Sequence, residues 1–128
     1  MNQLDQITSE IIDSALKIHK KIGPGLLESV YEMILFQELT KRKLQVVNQK
    51  YISFEYEGTI FKNAFKVDLL VEENVIIEIK STEKTLPVHC KQVLTYLKLM
   101  NLPVGLLLNF GTALMKEGIS RIVNHYDP

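Results

Sequence analysis

The chain has 128 residues, 46% of them hydrophobic and 23% charged, and its fifteen basic and fifteen acidic side chains cancel to a net charge of zero. The length suits one domain with a real core, the composition is not that of a disordered chain, and no apolar run approaches the roughly 20 residues that span a bilayer. Zero net charge argues against nucleic-acid binding driven by a global field, although it leaves room for a local basic groove.

A lone cysteine, Cys90, leaves no internal disulfide and no CxxC metal pair, and the start "MNQLDQITSE" lacks the pattern of a secretory signal. Both features fit a reducing cytoplasm. Cys90 stands beside a helix start, where packing is the plainer role than nucleophile.

Leu4, Ile7, Ile11, Ala15, Ile18 and Ile22 recur at helical spacing, which predicts an amphipathic helix over 4–21, broken by Gly23, Pro24 and Gly25. A second helix is expected from Leu26 to Lys43, with Leu27, Val30, Tyr31, Ile34, Leu35 and Leu39 on its apolar side. Lys41, Arg42 and Lys43 sit in its last turn, where they favour the helix dipole or, alternatively, form a phosphate-contacting patch. From Val46 the period shortens to two. "VVNQKYISFEY" reads as a strand, Glu57-Gly58 as a hairpin turn, Thr59 to Val71 as a second strand, Glu72 to Asn74 as another turn, and Val75 to Ser81 as a third strand. After Pro87 comes a third helix, packed through Val93, Leu94, Leu97 and Met100 and ended by Asn101 and Pro103. "VGLLLNF" is a strand buried on both faces, Gly111 to Lys116 a loop, and "GISRIVN" a short edge strand. The third helix allows its flanking strands to pair in parallel through a right-handed crossover. The expected fold is α/β (α+β): a single domain over 1–128 with a mixed central sheet of about four to five strands flanked by helices.

Three ionisable residues interrupt the most apolar part of this sheet. Asp68 lies in the second strand, Glu78 and Lys80 in the third. Alternation puts Glu78 and Lys80 on one face, and a hairpin turning near Glu73 and Asn74 carries Asp68 beside them. Two carboxylates in a poorly hydrated place repel each other unless a cation joins them, and hard oxygen donors suit Mg²⁺ or Mn²⁺. An ammonium next to them can orient a water or stabilise a phosphorane-like transition state. The scattered histidines His19, His89 and His125 do not make a metal site of the usual spacing, and His19 is expected as a structural neighbour of the acids.

The spacing D-x9-E-x-K resembles the PD-(D/E)XK nuclease superfamily, with Val67 in place of the proline. "GLLESVYE", reading G-x-x-E-x-x-Y-E through Gly25, Glu28, Tyr31 and Glu32, resembles the GxxExxY protein family within that superfamily, as do "PVHCKQVLTYLKL" and "GLLLNFG". The resemblance implies a restriction-endonuclease-like core in which Asp68, Glu78 and Glu28 ligate Mg²⁺ (or Mn²⁺) and Lys80 is the catalytic lysine. It also implies that Gln92 and Tyr96, a Q-x-x-x-Y pair one helical turn apart, contact substrate or support the site, with Tyr31 a supporting aromatic. Taken without the resemblance, Glu28 is a helix-start acid favoured by the dipole and Gln92 and Tyr96 a buried polar contact. The implied function is Mg²⁺-dependent hydrolysis of nucleic-acid phosphodiesters, in DNA or RNA. The alternative is a catalytically silent module that keeps the fold for nucleic-acid or protein binding. A homodimer through an exposed edge strand is a further expectation, and no membrane association is expected.

Overall fold

The computed structural model describes residues 2–124; His125 lies outside them. Helix α1 (Gln3–Ile22) begins where the Asn2 side chain accepts the Asp5 N–H at 2.7 Å and ends at Gly23, whose φ of +79° no side-chain-bearing residue adopts readily. Its buried stripe is Ile7, Ile11, Ala15 and Ile18, the predicted one.

Helix α2 (Glu28–Lys41) starts two residues later than expected, because Gly25 takes φ +120° and Leu27 stays extended. Its buried side is Tyr31, Leu35 and Leu39; Leu27, at 73% exposure, and Val30 point outward, contrary to the expected face. Arg42 caps the helix, and its guanidinium contacts Glu10 and Asp13 at 2.8 Å and Glu38 at 3.1 Å. It is therefore a clamp between α1 and α2, and the phosphate-contact alternative for the basic cluster does not hold at Arg42. Lys41 and Lys43 remain exposed.

The sheet has five strands in the order β1-β2-β3-β4-β5: Val46–Tyr56, Thr59–Val71, Val75–Lys80, Val104–Asn109 and Ile119–Val123. The β1–β2 hairpin turns through Glu57 and Gly58, both with positive φ as a twist-matched two-residue turn requires. Helix α3 (Pro87–Met100) crosses between the parallel pair β3 and β4, and β5 closes the sheet as an antiparallel edge. The loop before β5 contains a short 3₁₀ turn, Met115–Gly118.

Two cores result. On one face α1 and α2 cover Leu69, Val71, Ile77, Ile79, Leu106, Leu108 and Phe110. On the other, Val93 and Leu97 of α3 cover Val67, Ile76 and Leu107, joined by Cys90, Tyr96 and Met100; Leu94 is not part of that core. Every residue of β4 is buried, the expected signature of a strand covered on both sides. Cys90 is a packing residue here.

The chain that leaves β3 is held by β4. Asn109 Oδ1 accepts the Thr82 and Gly111 N–H groups at 3.0 Å, and its amide donates to Thr82 and Thr85 hydroxyls. Gly111 packs against this loop so closely that a Cβ would enter the backbone of Thr82. Gly111→Ala should therefore destabilise the fold by roughly 1–3 kcal/mol through backbone displacement, read as a lower urea midpoint, because no side-chain rotation can relieve a backbone clash.

Candidate active site

The site is a break in the sheet. The β2–β3 ladder pairs Leu69–Val71 with Val75–Ile77 and goes no further. Continued by one residue, that register would set Asp68 opposite Glu78, as the hairpin argument expected. The pleat changes hand there: Val67 belongs to the core under α3, whereas Leu69, two residues on, belongs to the core under α1 and α2. In a regular strand those two would share a face. The β1–β2 ladder skips the same level, pairing Asn48 with Leu69 and Lys50 with Val67 around an unpaired Gln49 and Asp68.

Side chains take over where the ladder stops. Asp68 Oδ2 accepts the Ile79 N–H at 2.8 Å, and the Asp68 N–H donates to Glu78 Oε1 at 3.4 Å. The strand backbones are thus tied together by the carboxylates themselves, which leaves both acids aimed at one place. Glu78 is 6% exposed. Burial, then the negative charge and hydrogen bond of Asp68, push its carboxyl up to about 9, and the Lys80 ammonium opposes this weakly. At neutral pH the pair without a cation therefore holds a proton. Lys80 is half-buried two residues further on, and its ammonium makes no hydrogen bond or ion pair among the described residues.

Helix α3 brings Tyr96 within reach of the pair's charge. Burial and the negative charges of Glu78 and Asp68 push its hydroxyl above the usual range, and its ring stacks on Phe65 at 4.1 Å. Gln92, one turn earlier, is exposed. Tyr31 is fully buried; its hydroxyl donates to the Gly23 carbonyl at 2.5 Å and accepts the Leu26 N–H at 3.2 Å, and its ring stacks on Phe110. It latches the loop before α2 and does not touch the carboxylates.

Glu28 is exposed at the start of α2, beside Ser81 and Thr82 in a cleft of about 730 Å³, and the structure does not bring it to Asp68 and Glu78. Neither Asp68 nor Glu78 lines that cleft. The helix acid that faces the pair is Glu32, one turn later. It is 9% exposed, accepts a hydrogen bond from Gln49 Nε2 at 2.7 Å, and has its carboxyl raised by burial and by the charge of Asp68. Among the described residues no three His, Cys, Asp or Glu side chains converge as a metal cage. His19 Nε2 donates to the Thr112 carbonyl, 3.0 Å away, and His89 accepts the Leu86 N–H; neither joins the pair.

Glu32 and Gln49 escaped the sequence reading. Glu32 was legible only as the last letter of "ESVYE", one turn beyond the motif's named acid. Gln49 carries no signal beyond being a polar residue in a strand.

The structure thus places a buried carboxyl, Glu78, beside a half-buried one, Asp68, at a break in a mixed sheet, with a lysine two residues past the second acid. A family model described as the PD-(D/E)XK nuclease superfamily matches residues 5–122, and the chain belongs to that superfamily. No curated protein matches the chain. Among solved structures, the crystal structure of SSO0001 is similar at 18% identity over 94% of this chain and 79% of that one, with a TM-score of 0.43. No helix among the described residues is long and apolar enough to cross a membrane.

Proposed function

We propose that the chain is a divalent-metal-dependent nuclease of the GxxExxY group, acting on nucleic-acid phosphodiesters in the cytoplasm. The observation that carries this reading is the convergence of Asp68 and Glu78 at the sheet break, where Glu78 Oε1 accepts the Asp68 N–H at 3.4 Å, Asp68 Oδ2 accepts the Ile79 N–H at 2.8 Å and Glu78 is only 6% exposed. The donor set fits Mg²⁺ or Mn²⁺: two hard carboxylates with the remaining positions open, since Mg²⁺ keeps several waters and takes only one or two protein carboxylates. The GxxExxY assignment is supported by what its residues do locally. Gly25 occupies φ +120°, and Tyr31 bonds the loop that Gly25 bends.

In this reading Asp68 and Glu78 hold the ion, which when bound supplies Lewis acidity at the scissile phosphate. Asp68 is kept in place by the Ile79 N–H. Lys80, with no competing partner, places its ammonium where charge develops on the phosphate oxygens or orients the attacking water. Tyr96 borders the pair from α3, and exposed Gln92 and Glu28 are left to meet substrate at the rim.

A silent binding module is favoured by one observation, the zero net charge, which gives a polyanion little overall attraction. The two readings separate on single- and double-stranded DNA and RNA incubated with Mg²⁺ or Mn²⁺. Cleavage by the wild type that disappears in Asp68→Ala and Glu78→Ala is expected. Cleavage that persists in both variants overturns the assignment.

A further inference from the structure

We propose that Gln49 is a positioning residue for the cation site, its amide fixing the Asp68 carboxylate against Glu32. The inference rests on the nuclease reading above and adds to it a residue from β1.

The geometry is specific. Gln49 Nε2 donates to Glu32 Oε1 at 2.7 Å and to Asp68 Oδ1 at 3.3 Å. An amide NH₂ carries two donors, and only that end of the side chain can serve two carboxylates. Asp68 is thereby held at both oxygens: Oδ1 by Gln49 and Oδ2 by the Ile79 N–H. A carboxylate fixed at both ends presents one set of lone pairs to an ion, and loss of such an outer partner typically costs about 10–100-fold in metal affinity.

The backbone supports a dedicated role. Gln49 has φ +50°, a left-handed conformation inside a strand. Glutamine has no preference for that region, and non-glycine residues held there are costly and cluster at functional sites. The conformation falls at the level where both ladders are interrupted, opposite Asp68. A glutamine that merely filled a strand would pair with its neighbour and alternate with Asn48 and Lys50. Glu32 completes the arrangement as the buried acceptor on α2 that anchors the far side of the amide.

The left-handed backbone also supplies a clean variant. Gln49→Gly removes the amide while suiting φ +50° better than glutamine does, so the fold is kept. Calorimetric titration with Mn²⁺ and metal-free thermal melts of the full chain form the test, with Gln49→Gly, Glu32→Gln and Glu32→Ala beside the wild type. Gln49→Gly should still unfold cooperatively, the relief at φ +50° offsetting the lost Gln49–Glu32 hydrogen bond, yet bind Mn²⁺ about 10–100-fold more weakly. Glu32→Gln, whose amide oxygen can still accept from Gln49, should bind close to wild type, and Glu32→Ala more weakly. Equal Mn²⁺ affinity in Gln49→Gly and wild type overturns the proposal, as does a lowered melting temperature with unchanged affinity. A folded wild type that binds no Mn²⁺ contradicts the nuclease reading itself and this proposal with it, so the two failures are told apart by the wild-type titration.

Discussion

Glu78→Gln is expected to stabilise the metal-free protein at neutral and alkaline pH while removing its nuclease activity. The folded-state carboxyl is raised from 4.5 to about 9, first by burial and then by Asp68. A raised carboxyl contributes its full stability below 4.5 and loses it as pH climbs towards 9, because the unfolded chain releases the proton first. By pH 7 the loss is about 3 kcal/mol from this one group. Glutamine is the neutral form made permanent: its amide keeps an oxygen for the Asp68 N–H and a donor for the Asp68 carboxylate. Urea melts from pH 5 to 8 should show a wild-type midpoint that falls with pH and a Glu78→Gln midpoint that falls much less. Glu32, whose carboxyl is also raised, slopes both proteins in the same direction and cancels in the comparison. A divalent cation that binds only the folded state should restore the wild type by mass action and leave Glu78→Gln unchanged. Parallel pH slopes in the two proteins would remove the buried charge pair from the explanation.

Lys80→Met should lower kcat by about 10²–10⁴-fold, the usual worth of a positioned proton-transfer or charge-stabilising group, with KM little changed. Stability should move by no more than about 0.5 kcal/mol. Both halves follow from the same observation. The half-buried Lys80 side chain makes no hydrogen bond or ion pair among the described residues, so removing it strands no partner, and its charge acts only weakly on Glu78. Arginine should rescue poorly, because a planar guanidinium fork does not replace a compact ammonium at a tight site. A large stability loss with intact turnover would make Lys80 a counter-ion and nothing more.

The parts of the fold that were legible in the sequence are those governed by local rules. Period-two alternation and the Glu57-Gly58 turn located the β1–β2 hairpin, whose paired strands follow the predicted spans. The apolar run of β4 announced a strand buried on both faces. The Asp68–Glu78 pairing followed from counting residues to a turn. Helix α2 resisted the same treatment. It carries apolar residues around most of its circumference, with Met33 exposed at 69%, and Glu28 and Glu32, four residues apart, share a face, so periodicity could not say which of the two acids turns inward. The choice is made by tertiary structure: Tyr31 stacks on Phe110 and latches Gly23, and that rotation sends Glu32 towards Gln49. The sheet break at Asp68 was equally out of reach, since alternation predicts an unbroken pleat through Val67 and Leu69.

A crystal soaked in Mn²⁺ tests the cation site most directly, through the anomalous signal of the ion. A single peak about 2.1 Å from carboxylate oxygens of both Asp68 and Glu78, lost in Asp68→Asn, is the expected result. No peak at the pair in millimolar Mn²⁺, or a peak held elsewhere on the chain, would contradict a metal-dependent nuclease site built on these two acids.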